Sequence, residues 1–243
     1  AMGNIGWQEY GVLDAGLLRK IDPSVAPIST SLGILGMPGL TAYFGLFEIG
    51  RPIPGDTVVV SAASGAVGAV VGQLAKLSGC RVIGIAGTDE KINYVVDELG
   101  FDAGLNYKSE DIPTRLGTLC PDGIDIYWDN VGGELADAAI EKIASGGRAV
   151  ICGQIAQYNA TSPPQGPRII PHMLLSRQAR MEGFWVGQFE DRNSHALNRL
   201  SHRVRDGALK YKEDVVVGIE NSPAAFIGLL NGANLGKLVV QLK

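Results

Sequence analysis

Hydrophobic positions along the chain alternate between two periods. TVVVSAA (57–63) is β-branched and apolar, as a strand buried on both faces requires, and directly after it Val67, Val70, Val71, Leu74 and Leu77 recur at helical spacing. RVIGIAG (81–87) predicts a second strand, followed by a helix that Asp89 is placed to cap and Gly100 to end. GLNY (104–107), IDIYWDNV (124–131), GGRAVICG (146–153) and RMEGFWVG (180–187) predict the third to sixth strands, separated by helical stretches such as 134–144. Apolar strands alternating with helices imply a parallel sheet covered on both faces, because right-handed crossovers put helices there. The expected fold is α/β and doubly wound.

The flanks break this rhythm. GNIGWQEYGVL (3–13) reads as a strand-like piece, and Asp22, Pro23, Pro27 and Gly33 as a crossing loop. At the other end DVVVGIE, SPAAFIGLLNG and GKLVVQLK form a βαβ-like tail whose strands are free to pair outside the main sheet. The Pro-rich TSPPQGP (161–167) is a loop.

Composition narrows the classes. A formal net charge of −4 argues against nucleic acid as a partner, which needs clustered Lys and Arg to displace counterions. Thr57 to Ala75 carries no charge, but Ser61, Ser64, Gly65, Gly68 and Gly72 interrupt it, so it reads as strand, turn and helix in a core and not as a membrane span. No secretory signal is visible in this sequence, and a cytoplasmic setting is expected. Cys80, Cys120 and Cys152 show no CxxC pairing and no neighbouring His, so they read as buried thiols in a reducing compartment, and no metal is expected.

The chemistry concentrates at the first strand–helix turn. Ala63, Gly65 and Gly68 stand at the three positions of the G-x-G-x-x-G dinucleotide turn, with Ala in place of the first Gly. Gly65 permits backbone approach to a pyrophosphate, Gly68 lets the helix lie on the strand, and the free amides of the helix start face the anion. The second strand ends in AGTDEK, without an acidic residue at its tip to repel a 2′-phosphate; Lys91 either meets that phosphate or is an ordinary solvated helix lysine.

AASGAVGAVVGQLAKLSGCRVIGIAGTDEK, GFDAGLNYK, DGIDIYWDNVGGE, RAVICGQIAQYN and NLGKLVV, in this order, resemble the zinc-independent medium-chain dehydrogenase/reductase family, in its branch of leukotriene dehydrogenases, prostaglandin reductases, alkenal double-bond reductases and curcumin reductases. The resemblance runs from about Gly6 to the C-terminus. It implies a Rossmann sheet and NADPH-dependent reduction of the carbon–carbon double bond of α,β-unsaturated ketones and aldehydes. By similarity, Gly65, Ala66, Val67 and Gly68 line the pyrophosphate, Lys91 and Tyr107 hold the 2′-phosphate, and Asn130 lies where the cofactor crosses the sheet edge. Cys152, Gly153, Gln154, Ile155, Ala156, Gln157 and Tyr158 form the loop beside the nicotinamide, Phe184, Trp185 and Val186 flank it, and Asn234 reaches back from the tail. Taken singly, Tyr107, Asn130, Phe184, Trp185 and Asn234 each have a purely structural alternative. Tyr158 is the catalytic candidate: its phenol either supports the enolate left by hydride addition or only positions the cofactor.

The resemblance also implies domain limits: residues 1–36 as a remnant of a GroES-like catalytic domain, 37–207 as the NADP-binding Rossmann domain, and 208–243 as the return to the catalytic domain. Most of that domain's substrate-side wall is absent from this sequence, so NADPH binding with weak or no turnover is expected, because orientation in a dry cleft carries much of the rate. The partners expected are a small enone, enal or quinone and a second copy of the chain, paired across the edge formed by RMEGFWVG. Quinone reduction, a zinc alcohol dehydrogenase, and a non-catalytic nucleotide-binding protein remain as alternatives.

Overall fold

The computed structural model describes residues 1–162 and 169–242. Its centre is a six-stranded parallel sheet of β1 (Thr57–Ser61), β2 (Arg81–Ala86), β3 (Ala103–Asn106), β4 (Ile124–Asp129), β5 (Ile143–Ile151) and β6 (Arg180–Gly183), in the order β3-β2-β1-β4-β5-β6. Helices α1 (Met37–Phe44), α2 (Gly68–Leu77), α3 (Asp89–Asn93), α4 (Ile112–Leu119), α5 (Gly133–Glu141), α6 (Ile169–Arg177) and α7 (Asn193–Arg205) complete the doubly wound layers. Order and direction are those of a Rossmann sheet, as the alternating periods predict.

Alternation along each strand builds two cores. Val58, Val60, Ile126 and Trp128 face one side, with Phe44, Leu46, Val71 and Leu74. Val59, Ile83, Ile85 and Tyr127 face the other, with Leu116, Ala139 and Ile140. Parallel register (Val58 with Val82 and Ile126; Asp129 with Ile151) brings the carboxyl ends of β1, β2, β4 and β5 to one edge. The strand order reverses direction between β1 and β4, and ligands of open α/β sheets bind at such a point.

Several expectations are corrected. The stretch 3–13 forms no strand: a single Met2–Arg19 bridge precedes it, among the described residues it has no neighbour with which to form a ladder, and its backbone stays irregular. The fifth strand starts at Ile143, because Ile143 pairs with Ile124 across a register shift, and the helix before it therefore stops at Glu141. The sixth strand ends at Gly183, and Val186–Arg192 turns into 3-10 geometry. Thr88, not Asp89, caps α3: its backbone is extended and its hydroxyl accepts from the Lys91 amide at 3.3 Å, while Asp89 accepts instead from Asn106 Nδ2 at 2.7 Å.

The tail forms a separate two-stranded parallel sheet, β7 (Glu213–Val217) and β8 (Lys237–Gln241), linked by α8 (Ser222–Leu230). Two ties fasten it to α2 and the turn before it. Buried Gln73 exchanges two hydrogen bonds with the Lys210 backbone, at 2.9 and 2.8 Å, and the Gly236 amide donates to Ser64 O at 3.1 Å. The tail strands thus pair outside the main sheet, as expected.

Candidate functional site

The turn after β1 is closed by its own backbone. Ala62 takes a left-handed φ of 47° and its carbonyl accepts the Gly65 amide at 3.0 Å. A Cβ on Gly68 would stand 2.5 Å from that carbonyl, so only glycine lets α2 start this close to the strand. Among the described residues, the amides of Val67 and Gly68 find no acceptor, while the Ala66 amide faces Gly236 O across the Gly65–Gly236 bridge. Two free donors at the positive end of a ten-residue helix make a cradle for an anion. The expectation changes in one respect: the Gly65 amide is internally bonded, so Gly65 contributes close approach and not a donor.

At the tip of β2 the chain is flat. A Cβ on Gly87 would lie 2.9–3.1 Å from the Tyr107 ring, so that half-exposed ring covers the position and stands beside the start of α3. Lys91 extends across the same edge, where its Nζ donates to Gly232 O at 2.6 Å. Burial, then repulsion from Lys108, holds the Lys91 ammonium below the usual lysine range. Its hydrogen-bond acceptor is uncharged, and the attraction of Glu90 is weaker than burial and the repulsion from Lys108, so the positive charge is held in place without a bonded carboxylate.

The end of β4 is braced more than sequence reading anticipates. Asp129 is buried, and its Oδ1 accepts the amides of Val131 and Gly132 at 2.9 Å each and the Tyr127 hydroxyl at 3.0 Å. Asn130 Nδ2 donates to Ser61 O at 2.7 Å, and Asn130 Oδ1 accepts from Trp128 Nε1 at 3.1 Å. The Nδ2 end of the Asn130 side chain therefore ties the end of β4 to β1 at the switch point, while its Oδ1 end is held by Trp128 of β4 itself. Ser61 and Asp129 were not singled out from the sequence; the signal available was their position as the last residues of β1 and β4.

The loop after β5 lies against this brace. The amides of Cys152 and Gly153 donate to Asp129 O, that of Ile155 to Asn130 O, and that of Ala156 to Val131 O. This brings Cys152 to Tyr158 together with Asn130. The Tyr158 hydroxyl accepts weakly from the Gln154 amide at 3.4 Å, and the ring is 65% exposed, so the phenol is available at the surface of the crevice. Burial, then the charge of Asp129, pushes the Cys152 thiol up to about 12, which leaves it protonated and unreactive.

The remaining candidates divide. Phe184 packs edge-on against Trp128 with ring centroids 5.9 Å apart and lies close to Gly45, as a core aromatic; Val186 packs against the same core. Trp185 is 77% exposed. Asn234 Nδ2 donates to Gly236 O at 2.8 Å, in the segment that Gly236 ties to the glycine turn. The 161–167 loop falls largely outside the described residues. Among the described residues, no group of three or more His, Cys, Asp or Glu is arranged to hold a metal ion, and no helix is long and apolar enough to cross a membrane.

Comparisons with known proteins agree with this geometry. Residues 66–202 match the family model described as zinc-binding dehydrogenase. Prostaglandin reductase 1 of Mus musculus is 48% identical over 98% of this chain and 73% of its own length. A 2-alkenal reductase (NADP(+)-dependent) of Nicotiana tabacum is 43% identical over 99% of this chain and 70% of its length. The crystal structure of CurA from Vibrio vulnificus in complex with NADPH superposes with a TM-score of 0.91 at 45% identity, covering 98% of this chain and 72% of that one.

Proposed function

The chain belongs to the medium-chain dehydrogenase/reductase family, and from that membership we propose that it is an NADPH-dependent oxidoreductase that reduces the carbon–carbon double bond of α,β-unsaturated ketones or aldehydes. One observation carries the reading: the amides of Val67 and Gly68, unpartnered among the described residues, stand at the carboxyl edge of β1, where the strand order reverses. The residues fit the coenzyme. Those amides and the start of α2 hold the pyrophosphate, Gly65 gives it room, and Lys91 with Tyr107 hold the 2′-phosphate. Asn130 keeps β1 and β4 together beneath it. The 152–158 loop, Trp185 and Asn234 border the nicotinamide side, whereas Phe184 and Val186 support that side from the core.

When bound, NADPH supplies the hydride. The Tyr158 hydroxyl donates a hydrogen bond to the substrate carbonyl oxygen, where negative charge grows as the double bond is reduced. Asp129 acts at one remove, because by bonding the Val131 and Gly132 amides it sets the turn on which the Tyr158 loop rests.

Three further elements belong to the same proposal. Residues 37–207 form the coenzyme-binding unit, and 1–36 and 208–243 belong to a substrate-side unit, a division supported by the separate β7–β8 sheet. Two copies pair across the edge strand β6. A cytoplasmic setting suits three free thiols.

Titrating the protein with NADPH while following coenzyme fluorescence tests the reading, with saturable enhancement expected; a signal that never saturates at high micromolar protein sinks it. Consumption of NADPH with an enal or enone, and not with a quinone, separates double-bond reduction from quinone reduction. Weak or absent turnover of this chain alone fits the missing substrate-side wall; saturable binding without turnover of either substrate class in a protein that also carries that wall would favour the non-catalytic alternative. Because the zinc-independent branch is proposed, activity is expected to survive dialysis against a chelator.

A further inference from the structure

Lys91 is held by a residue 141 positions away in the chain, and the way that residue is built goes beyond an incidental contact. Helix α8 ends in a paired closure: the Gly232 amide donates to Leu229 O at 3.0 Å and the Ala233 amide to Gly228 O at 2.9 Å, with Gly232 at φ +70°. This is the Schellman arrangement, in which the residue after the C-cap takes the left-handed conformation. It fixes the direction of the Gly232 carbonyl, and that carbonyl accepts the Lys91 ammonium. The negative end of the α8 dipole attracts the same cation.

The contact borders a groove of about 410 Å³ lined by Thr88, Glu90, Lys91, Lys212, Glu213 and Gly232, among others, a volume within the range of small-ligand sites. A free lysine side chain spreads over many rotamers, and a fixed neutral acceptor selects those with the charge over the groove. A carboxylate partner would have cancelled that charge. With one N–H bonded to Gly232, two remain for an anion.

We infer that Gly232, at the end of α8, is a positioning residue for coenzyme choice: its carbonyl presets Lys91 for the 2′-phosphate and so makes the C-terminal tail part of the discrimination between NADPH and NADH. The inference rests on the NADPH reading proposed above.

The test compares dissociation constants for NADPH and NADH, by coenzyme fluorescence, in the wild type and in Gly232→Val, Gly232→Asn, Lys91→Met and the Lys91→Met/Gly232→Val double variant. Valine resists the left-handed conformation and shifts the carbonyl, whereas asparagine tolerates it. Gly232→Val is expected to weaken NADPH about five- to tenfold, a loss on the order of one ordinary hydrogen bond because Lys91 itself remains, with NADH binding unchanged. Gly232→Asn should restore wild-type preference, and the double variant should match Lys91→Met alone, as groups acting through one another do. The inference fails if Gly232→Val leaves the NADPH:NADH ratio unchanged, weakens both coenzymes equally, or tightens NADPH, since the last would mean that the carbonyl competes with the phosphate. A wild type that binds both coenzymes equally removes the NADPH reading and this inference with it; a wild type that prefers NADPH alongside an unaltered Gly232→Val ratio removes this inference alone.

Discussion

Lys91 and Asp89 are two residues apart at the start of α3, yet their charges are handled in opposite ways. Asp89 is bonded to Asn106, whereas Lys91 keeps its charge on a neutral carbonyl. Replacing Lys91 with Met should weaken NADPH by about tenfold or more and leave NADH binding almost unchanged, the size expected for losing a charge-assisted contact. Burial and Lys108 lower the pKa of the Lys91 ammonium, so its charge is present below that value and lost as pH rises through it. NADPH affinity should therefore decline on the alkaline side before NADH affinity does, which parallel titrations over a pH series would detect. For Tyr158→Phe the expectation is a fall in kcat of about a hundredfold with NADPH affinity retained, the scale of removing one donor to a developing oxyanion. A loss confined to coenzyme binding would assign Tyr158 to positioning. The thiols offer a separate check: burial pushes Cys80 and Cys120 up to about 11 and Cys152 to about 12, so native protein at pH 8 should resist alkylation by iodoacetamide, and all three should react after denaturation.

At the scale of elements, the site depends on how strands end. β1 stops at Ser61, the chain turns through left-handed Ala62, and α2 starts within contact distance because Gly68 has no side chain. Gly68→Val would have to push back the Ala62 carbonyl; an overpacked contact of this kind costs about 1–3 kcal/mol. In a chain of this size that corresponds to a melting temperature lower by about 2–12 °C. The same variant should lose NADPH binding, because the displaced turn carries the free amides of Val67 and Gly68. Thermal melts with and without coenzyme would separate the two effects, as only a bound coenzyme adds a stabilising increment. The end of β4 works differently: it is rigid through side chains, with Asp129 and Asn130 supplying the acceptors and donors that close the turn.

For the whole molecule, the feature with most consequence is the pair of sheets. The six-stranded sheet is covered on both faces, while among the described residues β7 and β8 form a separate sheet, and the tail meets the main body through Gln73, Gly236 and Lys91 and also through Lys210 on Glu98 O and Lys212 over the Tyr94 ring. The coenzyme edge lies where these two parts meet, so coenzyme binding and docking of the tail are expected to reinforce one another. Amide hydrogen exchange in β8 and in the 210–213 segment should slow when NADPH is added. The main sheet has two edge strands, β3 and β6, each four residues long and paired on one side, and β6 is the one across which copies are proposed to pair. Light scattering after gel filtration should give twice the mass of one chain if copies pair there; a single-chain mass at micromolar concentration would rule the pairing out.

The order of strands and helices from Thr57 to Arg205 was legible in the sequence, because apolar β-branched runs and helical spacing are local signals and a parallel crossover has one favoured hand. The glycine turn was legible for the same reason: Gly65 and Gly68 lie within one short stretch between a strand and a helix. Other points depended on contacts between distant parts of the chain. Local pattern made Asp89 a reasonable cap, but Asn106 draws its carboxylate away and Thr88 takes the role. The strand-like residues 3–13 have the composition of a strand but no neighbour to bond, and the motif that includes Phe184 does not reveal that its ring packs on Trp128. Tertiary structure alone brought Gly232 to Lys91, since a hydrogen bond spanning 141 residues leaves no periodic trace in the sequence and forms only when the tail folds back across the sheet edge.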